Sequence, residues 1–137
     1  FVEEIKKKKK VKILEIGPGS GILGILLYFK YKDINYASTD NAQAFYILQS
    51  YLYKDLDPNY SEHLNQKKDK FFDEKSKIAH LPWWVFLKNE NLKKDEFDII
   101  ICDHALAEMN RYCLSYYLRT SAKFFEKDFF PILKNFI

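Results

Sequence analysis

The stretch Glu15-Ile16-Gly17-Pro18-Gly19-Ser20-Gly21 constrains this chain more than any other. Before it, residues 11–16 form a short apolar run bounded by Lys and Gly, the pattern of a strand buried on both faces of a parallel sheet. After it, Ile22, Leu23, Ile25, Leu26, Leu27 and Phe29 follow so densely that they predict a buried helix. A strand that enters a helix through glycines lets the backbone approach a ligand with no Cβ in the way, and the helix N-terminus adds unpaired N–H groups. The turn therefore predicts a site for a nucleotide or nucleotide-like cofactor.

The rest of the chain alternates in the same way. Residues 34–39 are a second strand candidate with Asp40 at its end, and a helix over 41–56 follows with Phe45, Leu48, Leu52 and Leu56 at helical spacing. The polar, Lys-rich segment 57–77 reads as an insertion with one short helix around 61–66. Residues 78–80 form a brief third strand leading into His80-Leu81-Pro82-Trp83-Trp84, and 97–102 is the clearest strand of all. Leu114, Leu118, Ser121, Ala122 and Phe125 then mark one face of a helix that Asn110 is placed to cap. This alternation predicts an α/β fold with right-handed crossovers and a mostly parallel sheet. With 137 residues the chain forms one domain, 1–137. A sheet ending at 97–102 leaves an apolar edge, so the fold is expected either to be incomplete at the C-terminus or to associate with another chain through that edge.

The glycine turn parses in two ways. Glu15 with Gly17, Gly19 and Gly21 makes an acidic-x-Gly-x-Gly-x-Gly turn, whereas Gly19, Gly21 and Gly24 satisfy the dinucleotide fingerprint G-x-G-x-x-G. Pyrophosphate needs N–H donors and tolerates nearby carboxylates poorly, yet Glu15 places an anion at the strand end and Pro18 has no N–H to give. A cofactor bearing a sulfonium and an ammonium group, as S-adenosylmethionine does, is attracted by the same acid. Asp40 suits either parse, because a carboxylate after the second strand accepts ribose hydroxyls. A nicotinamide-dependent oxidoreductase stays open as the alternative enzyme, and a non-catalytic cofactor-binding domain as the alternative class.

Composition narrows the partners. The 22 basic and 19 acidic residues nearly balance, without the basic excess of a nucleic-acid binder, and the run 6–10 of lysines reads as a solvated segment. No apolar stretch approaches the length of a membrane span, and the two cysteines have no disulfide or zinc spacing. A reducing, cytoplasmic setting is the expectation, with a small molecule as substrate.

At residues 15–21 the chain resembles class I S-adenosylmethionine-dependent methyltransferases, which share a Rossmann-like fold. More narrowly it is similar to a sugar O-methyltransferase family, through residues 36–46 (YASTDNAQAFY), 80–84 (HLPWW) and 102–110 (CDHALAEMN) taken in that order. The resemblance implies that Glu15, Gly17, Gly19 and Gly21 surround the methionine part of the cofactor and that Asp40 holds its ribose. It also implies that Asn41 and the backbone around His80 and Leu81 lie by the adenine, while Asp103 and His104 face the transferred methyl group. The substrate it implies is a sugar or glycoconjugate precursor. Asp103 departs from the family, which usually carries Asn there.

Methyl transfer to a hydroxyl gains most from orientation and needs a base for the hydroxyl proton. His104, with an ordinary pKa near ~6.5, is the candidate base, and Glu108 four residues on would steady its ring if the turn is helical. Asp103, His104 and Glu108 are a potential ligand set, but three such residues this close are too common to assign a metal, and none is expected. Trp83 and Trp84 offer aromatic faces to a sugar or to adenine, with core packing of one of them as the competing expectation.

Overall fold

The computed structural model describes residues 10–64, 70–72, 74–88, 97–103 and 105–122. Strand β1 (Val11–Ile16) passes through the glycine turn into α1 (Ile22–Lys30), and β2 (Ile34–Asp40) leads to α2 (Gln43–Leu56). A two-residue strand β3 (Ser61–Glu62) precedes β4 (Ile78–Pro82), which runs directly into α3 (Trp83–Lys88). Strand β5 (Ile99–Ile101) is followed by the short α4 (Ala105–Glu108) and by α5 (Arg111–Ala122).

The five strands form one sheet in the order β3-β4-β2-β1-β5, and every pairing is parallel. From β1 the chain first moves toward β2 and later returns on the opposite side as β5. The carboxyl ends of β1 and β5 thus lie at the reversal of strand order, where open α/β sheets bind ligands. The expected α/β, Rossmann-like architecture is what the chain adopts.

Two apolar clusters cover the sheet. One gathers Leu14, Ile16, Ala37, Leu81, Phe86, Phe97 and Tyr117 with Phe71 and Phe72 of the segment 57–77. The other holds Ile13, Tyr36, Tyr53 and Ile78. Burial of Asp57, Ser61, His63 and Ser76 packs these residues of the segment into the domain. Asp57 accepts from the backbone N–H groups of Asn59 and Lys77, which pins the start of the segment to its end.

Several expectations change here. No helix forms at residues 61–64: Ser61 and Glu62 pair with Ala79 and His80 as an edge strand, since the sheet offers them a ladder that an isolated short helix lacks. Helix α1 is not buried, because only Gly24 is enclosed while Ile22, Leu26 and Phe29 are largely exposed. Helix α2 buries Tyr46, Gln49 and Tyr53 in place of Phe45 and Leu48. Trp83 and Trp84 both stay partly exposed, so neither is a core residue. Asn110 caps α5 as expected, its Oδ1 accepting from the N–H groups of Tyr112 and Cys113 at 3.0 Å each. Tyr117, Thr120 and Ser121 are its buried positions, and Phe125 lies outside the described residues.

Candidate active site

The glycine turn exists because Gly17, Gly19 and Gly21 all adopt positive φ, at 72°, 56° and 77°. That conformation penalises any side chain, and at Gly17 an added Cβ would also meet the Ala105 Cβ at 2.4 Å. An added Cβ at Gly19 would meet nothing within 4 Å, so the turn is open to a ligand there. The Gly17 N–H donates to the Thr39 carbonyl at 2.9 Å and the Gly21 N–H to the Pro18 carbonyl at 3.0 Å, which holds the loop against the end of β2.

A cavity of about 330 Å³ lies along this turn, between the ends of β1, β2 and β5. Glu15, Asp40, Asp103 and Glu108 line it together with Asn41 and the turn, and among the described residues no Lys or Arg does. Such a wall repels a pyrophosphate and attracts a cation. The donor set therefore fits a cofactor that carries a sulfonium and an ammonium, with the backbone at Gly17 and Gly19 free of Cβ atoms to lie against it.

Glu15 is 5% exposed and accepts from the Tyr36 hydroxyl at 2.5 Å. Burial pushes its carboxyl above the ordinary carboxylate range; the Tyr36 hydrogen bond opposes that rise, and the charges of Asp103 and Asp40 add to it. Tyr36 in turn lies 3.4 Å from the Tyr53 hydroxyl, and burial first, then the neighbouring Tyr53 and Glu15, raise the Tyr36 phenol well above its ordinary value. Tyr53 is likewise raised by burial, to about 12.

Asp40 sits at the end of β2, where its Oδ1 accepts from the Ala42 N–H at 2.9 Å and its Oδ2 from the Gly19 N–H at 3.1 Å. It is thus more than a helix cap: it joins the second strand to the glycine turn. Gln49, which the sequence reading did not single out, donates to the Gly19 carbonyl at 2.6 Å and to Asp40 Oδ2 at 3.2 Å.

Of the expected site residues, Glu15, Gly17, Gly19, Asp40, Asn41, Asp103 and Glu108 come together around the one cavity. Gly21 supplies the left-handed residue that starts α1. His80 and Leu81 have fully buried side chains on β4 and do not line it. His104 lies outside the described residues.

Comparison with known proteins adds three findings. A family model described as lysine methyltransferase matches residues 2–118. No curated protein matches the sequence. Among solved structures, a crystal structure of the selenomethionine-substituted CurJ carbon methyltransferase superimposes with a TM-score of 0.58 at 14% identity, over 90% of this chain and 28% of that one. At that identity the likeness is one of fold, and this chain spans little more than a quarter of the structure it matches. Neither match is to a sugar O-methyltransferase.

Proposed function

Because the chain belongs to the lysine methyltransferase family, and with it to the class I methyltransferases that use S-adenosylmethionine, we propose that its cleft presents the cofactor's methyl group to an amine of lysine type. The observation that carries this reading is the acidic cavity, in which Asp103 and Glu108 face the same space as Glu15 and Asp40. An ammonium-bearing side chain is drawn into such a site, whereas a neutral hydroxyl gains nothing from the charge.

In this reading Glu15 and the turn at Gly17, Gly19 and Gly21 hold the methionyl end, while Asp40 and Asn41 hold the adenosine. Bound S-adenosylmethionine supplies an electrophilic methyl carbon on its sulfonium. Asp103 and Glu108 would orient the incoming amine, whose ammonium proton would pass to solvent at this acidic mouth, leaving a nitrogen lone pair free to take the methyl as its bond to sulfur breaks and a neutral thioether departs. Carboxylates favour the charged amine, so transfer to lysine speeds up as pH rises toward the amine's own pKa, near ~10.4.

A sugar hydroxyl is the second acceptor reading, with His104 as general base and Glu108 steadying its ring. The partial exposure of Trp83 and Trp84, each 41%, where β4 ends favours it, since aromatic surface within reach of solvent suits a sugar ring. Radiolabelled methyl transfer, assayed in parallel on a lysine-rich polypeptide, the same polypeptide with acetylated lysines, and a panel of sugars, separates the two. Label on unmodified lysine alone, rising through pH 8–10, is expected. Label on sugars, levelling off above about pH 7 and lost in His104→Gln, would replace the amine reading.

A further inference from the structure

We propose that Gln49 is a positioning residue for the cofactor cleft, locking the Asp40 carboxylate and the Gly19 carbonyl in one arrangement and tying both to the buried His80. The proposal rests on the reading that Asp40 accepts a hydroxyl of the cofactor's ribose.

Gln49 is fully buried in the middle of α2, where an unpaired amide would be costly. Its Nε2 faces two groups that only accept, the Gly19 carbonyl at 2.6 Å and Asp40 Oδ2 at 3.2 Å. The amino end must therefore point to the cleft, which leaves Oε1 toward His80 Nε2 at 3.0 Å. An amide oxygen cannot donate, so that ring nitrogen carries the hydrogen. His80 cannot turn away: its Nδ1 lies 3.2 Å from Ser50 Oγ and 3.3 Å from Glu62 Oε2, and its ring stacks on Tyr46 at 3.9 Å. Flipping the Gln49 amide would set oxygen against two acceptors and an NH₂ against an N–H.

The consequence falls on Asp40. A carboxylate offers about four lone-pair sites. Three are taken by the Ala42 N–H, the Gly19 N–H and Gln49 Nε2. What remains is directed by those three and belongs to a side chain that lines the cavity. A carboxylate fixed before the ligand arrives loses no rotamer freedom on binding. Gln49 also holds the one turn residue whose N–H and carbonyl both enter the network, so strand end and turn move together.

Calorimetry with S-adenosylhomocysteine and its 2′-deoxy counterpart tests this on the wild type, Asp40→Ala, Gln49→Met and Gln49→Glu. The wild type should prefer the hydroxylated ligand about tenfold or more, the scale of a charge-assisted hydrogen bond, and Asp40→Ala should lose that preference. A preference that survives Asp40→Ala overturns the ribose reading and this proposal with it. Gln49→Met, similar in length and without a donor, should bind S-adenosylhomocysteine about tenfold more weakly, with the preference reduced to about threefold or less. Lowered thermal stability with an unchanged preference means that Gln49 is structural and overturns the proposal alone. If Gln49→Met unfolds, Gln49→Glu is decisive, since it keeps an acceptor for His80 but sets a second carboxylate against Asp40. Wild-type affinity and preference in that variant would equally overturn it.

Discussion

Glu15 shows how a buried carboxylate, proposed above to meet the cofactor, works against the free protein. Its carboxyl is raised by burial, so the folded state favours the protonated form. A raised carboxyl costs nothing below the unfolded value, near ~4.3, where both states are protonated, and its full penalty is present once pH exceeds the folded value. Glu15→Gln keeps an acceptor for the Tyr36 hydroxyl and removes the charge. Its apoprotein is expected to melt about 2–5 °C above the wild type at pH 7, the advantage vanishing toward pH 4, while S-adenosylmethionine binds about tenfold more weakly. Calorimetric melting across pH, paired with a binding titration, checks both halves; equal melting at pH 7 would mean that the burial penalty is already relieved. Gly24 matters for a different reason: an added Cβ would lie 2.4 Å from the Tyr36 ring. Gly24→Ala should therefore lower stability by about 1–3 kcal/mol despite the better helix propensity of Ala. Because Tyr36 holds Glu15, denaturant unfolding and cofactor affinity should fall together.

Among the elements, α5 owes its start to one side chain. Asn110 Oδ1 receives two N–H groups of the first turn, so Asn110→Ala should cost about 1 kcal/mol in urea unfolding, and Asn110→Asp should restore most of it. That cap was legible in the sequence, as were β1, β2, the glycine turn and the acid after β2, because each depends on local chemistry or on a buried strand's continuous apolar run. What was not legible depends on partners remote in sequence. The apolar periodicity of α2 pointed to Phe45 and Leu48, but the buried stripe is Tyr46, Gln49 and Tyr53. Those polar tips are satisfied by Glu62, His80, Asp40 and Tyr36, none of which spacing along α2 can reveal. A Gln set between two tyrosines at positions 46, 49 and 53 is the one hint the sequence carried. Strand β3 was missed because two residues show no period, and α1 was misjudged because its apolar outer face has no cover among the described residues.

For the whole molecule, the site and the sheet are one construction. The cavity residues come from the ends of β1, β2 and β5, from the glycine turn, and from α2 and α4, so a ligand there bridges the long β1–β2 pairing to β5, which pairs with β1 over only three residues. Hydrogen exchange with and without S-adenosylhomocysteine should show added protection concentrated in β1 and β5, and little in β3. Protection spread evenly over the sheet would place the ligand elsewhere. Among the described residues no helix is long and apolar enough to cross a membrane, which leaves the exposed Ile22, Leu26 and Phe29 on α1 as an uncovered face rather than part of a span.

The parallel pairings of the described strands also bear on how the sheet assembles. No parallel pair can close as a hairpin; each waits for a crossover. Val11 meets Ile34 across a short stretch of chain, but Ile13 meets Ile99 only after most of the domain has been bridged, a closure entropically dearer by about 1 kcal/mol. On closure entropy alone the β1–β5 seam is the costlier of the two to form, and it is the same seam whose carboxyl end carries Glu15 and leads into Asp103. A growing chain thus holds its glycine turn long before β5 arrives to pair with β1 and bring Asp103 to the cleft that Glu15 and Asp40 line.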